Sequence, residues 1–204
     1  MITGICGGIG SGKSVVSRIL RLRGFAVYDC DLEAKRIMDS SQEVLEALNE
    51  RYGDEVCAPG GPICRGELAR RVFGSDEERL WLNSLVHRLV RADVERWHAE
   101  QAKEGIEVCF VESAILASSG LARMCGEVWL VTATEEVRIA RIQERDSLDE
   151  DAIRKRIESQ AEEEMMLKAC GVPVRIIDNS GMLPLLPQTL LQDASDFIRD
   201  KMEK

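Results

Sequence analysis

The chain has 204 residues, enough for one full-sized domain or one domain with a small insertion, and too few for two independent enzymes. With 45% hydrophobic and 31% charged residues its composition is globular and excludes the apolar-poor make-up that keeps chains disordered. A net charge of −9 argues against a protein whose main task is gripping a nucleic-acid backbone. The seven cysteines are odd in number, scattered and never spaced Cys-x-x-Cys, which speaks against a disulfide framework or a zinc ribbon and fits the reduced cytosol. No basic leader precedes the first apolar segment and no apolar run approaches bilayer length, so the expectation is a cytoplasmic protein with neither membrane nor nucleic acid as partner.

In chain order, Ile2–Cys6 is a short apolar run that predicts a strand. It leads directly into Gly7-Gly8-Ile9-Gly10-Ser11-Gly12-Lys13-Ser14, after which Val15, Val16, Ile19, Leu20 and Leu22 recur at helical spacing up to Gly24. Phe25–Tyr28 predicts a second strand, ending on Asp29-Cys30-Asp31 at a carboxyl edge, where parallel sheets bind ligands. From Leu32 to about Gly105 the pattern is mostly helical, broken by Ala58-Pro59-Gly60-Gly61-Pro62. Within it Leu82, Leu85, Val86, Leu89, Val90, Val94 and Trp97 predict one buried helix face. Strands are predicted at Val108–Val111, Val128–Val131 and Val174–Ile177, and Glu135–Lys168 reads as charged, helix-prone and in part mobile. Leu183–Met202 predicts a closing amphipathic helix. Strands alternating with helices make an α/β fold with a parallel sheet, the helical run after Leu32 being an insertion.

Gly7-x-x-x-x-Gly12-Lys13-Ser14 is the phosphate-loop pattern in its required context of strand before and helix after. Glycines let successive N–H groups curl around phosphates while the helix points its positive end at the same anion. Lys13 supplies a point charge for the β- and γ-phosphates, and the Ser14 hydroxyl suits Mg²⁺. No Asn-Lys-x-Asp guanine-reading element occurs and the chain is short for a motor, which favours a small-molecule kinase. Such an enzyme needs an acceptor for the proton of the attacking hydroxyl; Asp31 is the candidate, against the alternative that Asp29 and Asp31 only cap the next helix. Arg141 and Arg145, four apart on one helix face, either close over ATP or pair with Glu144, Asp146 and Glu150 as an ordinary surface helix. Glu112 either reaches the metal's water shell or a substrate group, or caps a helix. His87 and His98 are too far apart along one helix to share a metal, and His98 is expected at the surface. Residues 1 to 38 hold six basic against three acidic side chains, so a basic face lies hidden in the acidic average.

Taken together, these motifs resemble the dephospho-CoA kinase family over nearly the whole chain. The glycine-rich loop and Tyr28-Asp29-Cys30-Asp31 are similar to the family's loop and Asp-x-Asp strand end. Gly66-Glu67-Leu68, Val72-Phe73 and Leu82-Asn83-Ser84-Leu85-Val86-His87 resemble its helical-domain signature. Arg141-x-x-x-Arg145-Asp146, Arg156-Ile157-x-x-Gln160 and Ile177-Asp178-Asn179-x-Gly181 resemble its lid and C-terminal motifs. The resemblance implies a P-loop NTPase three-layer sandwich with a core at 1–31, 106–137 and 170–204, a helical substrate-binding insertion at 32–105 and a mobile lid at 138–169. It implies ATP-dependent phosphorylation of the ribose 3′-hydroxyl of dephospho-CoA, with Mg²⁺, in a monomer or small homo-oligomer. By position, Asp31 is the general base, Lys13 and the loop amides grip the phosphates in catalysis, Arg141 is the transition-state arginine, and Ser14 binds the metal. Gly8, Gly10, Ser11, Gly12, Lys13, Ser14, Val15, Arg145 and Asn179 surround ATP, while Asp31 and His87 face the acceptor. The sequence departs from the family at Cys6, where Thr is usual, at His87-Arg88, where His-Pro is usual, and at Ser118, where a Glu is expected.

Overall fold

In a computed structural model that describes residues 1–146 and 148–181, the chain divides into two compact units. One holds Met1–Tyr28 and the described residues from His98 onward; the other is Asp29–Trp97. The predicted closing helix at 183–202 lies outside the described residues.

The first unit is built on β1 (Ile2–Cys6), α1 (Lys13–Leu22) and β2 (Ala26–Asp29), whose last residue opens the second unit. The second unit contains α2 (Cys30–Ser40), α3 (Gln42–Tyr52), α4 (Arg65–Phe73) and most of α5 (Asp76–Lys103). The chain then returns to the first unit with β3 (Cys109–Glu112), a single 3-10 turn at Leu121–Met124 and β4 (Glu127–Thr132). Last come α6 (Glu135–Asp146), α7 (Glu150–Glu158), α8 (Ala161–Ala169) and β5 (Val174–Asp178).

The strands form one parallel sheet in the order β2-β3-β1-β4-β5. Its centre is β1, with Gly4 opposite Val111 on one side and Val128 on the other. Burial on both faces explains why these strands read as continuous apolar runs rather than alternating ones. One face packs Ile5, Phe110, Trp129 and Val131 against Val16 and Leu20 of α1. Phe110 and Trp129 meet edge to face at 5.3 Å, and each buried ring contributes on the order of 3 kcal/mol. The opposite face has little room at Gly4: a β-carbon there would lie 2.5 Å from Leu116 Cδ2. Sheet cover from both sides is the layered α/β arrangement expected from the alternation of elements.

α6 and α7 share a small core of Ile139, Ile142 and Ile153, so the few apolar residues of that charged segment are concentrated in one place. In the second unit the helical run after Leu32 breaks at Ser41, which is extended, and at Gly53, which has φ 71°. The predicted stripe on α5 is only partly covered, with Val90 and Val94 fully buried and Leu82, Leu85 and Leu89 half-buried. Buried Asp93 is bonded by Arg36 at 3.0 Å and by Arg96. A second polar cluster joins Arg51 to Glu78 at 2.7 Å and lays the same guanidinium 4.5 Å above the Trp81 ring. His98 is half-buried rather than a surface residue, because its Nε2 lies 3.3 Å from the Met1 amino nitrogen.

Candidate active site

The loop between β1 and α1 has the backbone of an anion cradle. Gly10 and Gly12 take φ of 77° and 101°, values at which a side chain is strained. The amides of Val15 and Val16 bond back to the Gly12 carbonyl, starting α1 at Lys13 with its positive end facing the loop. Ser11 is buried, and its hydroxyl has no partner among the described residues. Lys13 opens α1, and Val15 follows two residues on, about one-third exposed.

Ser14, in the first turn of α1, donates its hydroxyl to Glu112 Oε1 at 3.2 Å. Glu112 is the final residue of β3 and is buried, so a hydroxyl and a carboxylate stand together at the carboxyl edge of the sheet. The segment after β3 is a turn rather than a helix, and Ser113 Oγ accepts from the Ile115 amide at its start.

α6 lies along the outside of the loop. Arg141 donates Nη1 to the carbonyls of Gly10 and Ser11, at 3.3 and 3.4 Å, and Nη2 to those of Asn179 and Gly181, at 2.9 and 3.2 Å. Asn179, just past β5, is buried and donates Nδ2 to the Ser11 carbonyl at 2.8 Å. A β-carbon on Gly12 would come within 2.2 Å of that amide nitrogen. Arg141 and Asn179 thus clamp the carbonyls of Gly10 and Ser11. Arg145, one turn further along α6, bonds Asp146 through both ends of its guanidinium at 2.6 Å, with its side chain largely exposed.

Two side chains on the loop went unassigned in the sequence. Arg138 donates Nε to the Ile9 carbonyl at 2.8 Å, and the Ile9 amide donates to Gln160 Oε1 at 2.6 Å. Arg138 stands three residues before Arg141, a spacing that puts both on one helix face and was available as a signal. Gln160, which arrives from the turn before α8, stood in the lid-like motif Arg156-Ile157-x-x-Gln160 without a role of its own. A cleft of about 250 Å³ opens here, lined by Gly7, Gly8, Ala114, Arg138, Gln160 and Glu163 among others. Glu163 accepts from the amides of Ala117 and Ser118 at 2.5 and 3.1 Å, so a carboxylate does reach the segment where the expected Glu is Ser118. Burial, reinforced by the Glu163 charge, pushes the Cys6 thiol up to about 11, leaving it a neutral wall of the cleft.

In the second unit Asp29 caps α2, its carboxylate accepting from the Leu32 amide at 3.0 Å. Asp31 is therefore in the first turn of α2 rather than on the strand, and the N-cap position is already taken by its neighbour. His87 lies half-buried on α5.

A central parallel strand, a glycine-rich loop whose outer carbonyls are clamped, and an oxygen pair beside the first helix turn together define a phosphate-loop kinase of the nucleotide-binding α/β class. Known proteins carry the assignment further. A family model described as dephospho-CoA kinase matches residues 1–184. The dephospho-CoA kinase of Corynebacterium efficiens is 35% identical over 178 residues, covering 87% of this chain and 88% of that protein. That of Porphyromonas gingivalis is 41% identical over 170 residues, covering 83% and 82%. The solved dephospho-CoA kinase of Campylobacter jejuni, 23% identical, shares the fold with a TM-score of 0.70 over 98% of both chains. The chain belongs to the dephospho-CoA kinase family.

Proposed function

We propose that the protein transfers the γ-phosphoryl group of ATP to the ribose 3′-hydroxyl of dephospho-CoA, giving CoA and ADP as the last step of coenzyme A biosynthesis. The observation that carries this reading is the match of the family across residues 1–184, with the phosphate loop folded as such a kinase needs it. The nucleotide-binding core is read at 1–31, 106–137 and 170–204, the acceptor-binding insertion at 32–105 and the lid at 138–169. In this reading the loop amides and Lys13 hold the phosphates, while Asn179 and Gly181 lie toward the nucleoside. Asp31, in the first turn after β2, takes the proton of the 3′-hydroxyl. The freed oxygen pair bonds the γ-phosphorus as its bond to the β–γ bridging oxygen breaks, and ADP departs with that electron pair. Arg141 acts by fixing the loop whose amides meet the developing charge.

Mg²⁺ fits the residues present. Ser14 Oγ and the Glu112 carboxylate are two hard oxygens 3.2 Å apart, the donor type that magnesium takes in small number while keeping several waters. Bound there, the ion would neutralise charge on the β- and γ-phosphates. A cytoplasmic location accords with free cysteines throughout the described residues, among which no helix is long and apolar enough to cross a membrane. The test is ADP release from ATP and Mg²⁺ with a panel of acceptor alcohols. Release that depends on dephospho-CoA is expected; release with another acceptor and none with dephospho-CoA would refute the assignment.

A further inference from the structure

We propose that Arg138 is a catalytic residue whose free Nη2 contacts the γ-phosphoryl group of ATP in the cleft beside Gly8. The inference rests on the kinase reading and adds to it a group that makes contact with the reacting phosphate itself.

Arg138 and Arg141 sit three residues apart on α6 and use their guanidinium groups differently. Arg141 spends both Nη groups on four backbone carbonyls and has its donors turned toward the outside of the loop. Arg138 spends Nε on the Ile9 carbonyl at 2.8 Å, which fixes the plane of its fork, and leaves Nη2 buried without a partner among the described residues. A buried donor left unmatched costs about 1–3 kcal/mol, and more when it belongs to a charged group. Such a group in a native site calls for a reason, and a ligand that completes it is one.

The position of Nη2 says which ligand. A β-carbon on Gly8 would fall 2.3 Å from it, so the guanidinium occupies space that only a glycine at this position leaves free. Gly8 and Arg138 both line the cleft, which extends to Ala114 just beyond the carboxyl end of β3. Asn179 and Gly181, on the nucleoside side in this reading, meet the loop at Ser11 and Gly12 and through Arg141 instead. The cleft is therefore at the far end of the phosphate chain, where the terminal phosphoryl lies. Its wall carries Glu158, Glu163 and Glu164, and among the described residues Arg138 is its one cationic side chain. Without Arg138 the cleft would repel a transferring phosphoryl; with it, a forked donor is already aimed and needs no reorganisation as charge develops. Burial lowers the affinity of this guanidinium for its proton while the nearby Glu164 charge raises it, and an arginine under such influences stays charged.

The alternative is that Arg138 only braces the loop through Ile9. A brace serves ADP and ATP alike, whereas a γ-phosphoryl contact exists with ATP alone. The experiment compares full-length wild type, Arg138→Met and Arg138→Lys by calorimetric titration with ADP and with a non-hydrolysable ATP analogue in the presence of Mg²⁺, alongside kcat and KM with dephospho-CoA. Expected for Arg138→Met are a loss of about tenfold or more in analogue affinity, ADP affinity within about twofold of wild type, and a fall in kcat of about 10²-fold. Arg138→Lys keeps the charge but lacks the fork, so it should recover part of the analogue affinity and little of the kcat. Equal losses for both nucleotides, or an unchanged kcat, would overturn the proposal and leave a brace. Should Arg138→Met fail to fold, the same comparison in Arg138→Lys decides, since one ammonium cannot serve the Ile9 carbonyl and a phosphoryl oxygen with a fixed fork. Wild-type protein inactive with dephospho-CoA would count against the acceptor assignment, while the analogue-to-ADP ratio would still decide the role of Arg138.

Discussion

The contact between Gly12 and Asn179 offers a quantitative test of how the loop is held. Gly12 has φ 101°, and a β-carbon there would lie 2.2 Å from Asn179 Nδ2. Gly12→Ala therefore carries two costs. Left-handed backbone with a side chain costs about 1–2 kcal/mol. Displacing the Asn179 amide breaks its 2.8 Å bond to the Ser11 carbonyl, at about 1–3 kcal/mol for a buried group. The sum is roughly 2–5 kcal/mol, or a fall in Tm of about 4–20 °C for a chain of this size. Asn179→Ala loses only the bond, about 1–3 kcal/mol. In the double variant no amide remains to be displaced, so its cost should equal that of Gly12→Ala alone. The two changes are then non-additive by the free energy of the shared bond, about 1–3 kcal/mol. Urea and thermal unfolding of the four proteins measure this directly. Costs that add to within about 0.5 kcal/mol would refute the idea that Gly12 is required for the sake of Asn179.

Four further outcomes are expected. Asp31→Asn should lower kcat by about 10²–10⁴-fold with ATP affinity within about twofold of wild type, read by steady-state kinetics and calorimetry; near-normal turnover removes Asp31 from the base role. ATP with Mg²⁺ should slow proteolysis within 138–169, and unchanged cleavage counts against a closing lid. Alkylation of the native protein at pH 8, followed by mass spectrometry, should label exposed Cys64 before Cys6 and Cys125, whose thiols burial pushes up to about 11 and about 12; early loss of Cys6 contradicts the buried loop. Glu78, held down at about 2 chiefly by its bond to Arg51 and then by Tyr52, has a folded pKa below its ordinary 4.5. Its contribution is thus complete above about pH 4.5 and lost as pH falls toward 2, so Glu78→Gln should flatten the acid limb of stability in that window; an unchanged limb excludes the pair.

The parts of the fold that were legible are those in which neighbours along the chain do the work. The turn from β1 into α1 needs residues without side chains at fixed offsets, and Gly10 and Gly12 state that need outright just before α1 starts at Lys13. The central strands β1, β3 and β4 were legible for a related reason, since burial on both faces leaves a short apolar run no other place. The stripe on α5 was over-read: a repeat at three and four residues marks which side of a helix faces inward but not how much protein lies over it, and Leu82 and Leu85 stay half-buried.

The clamp around the loop was not legible, because its members depend on reach. Arg138, Arg141 and Arg145 are chemically alike and lie on one stretch of α6. Their distinct fates are set by Ile9 and Gly8, by Asn179 and Gly181, and by Asp146 respectively. Two of these three settings are made of groups more than thirty residues away, and only the third is adjacent in sequence. A pattern of arginines could therefore identify the helix that meets the phosphate loop but could not rank its members. Counting donors separates them: Arg145 bonds its neighbour, Arg141 bonds backbone carbonyls, and of the three Arg138 alone has a buried donor with no partner among the described residues. On a wall that also carries Glu158, Glu163 and Glu164, that one charged donor beside Gly8 is what the proposed γ-phosphoryl contact would use.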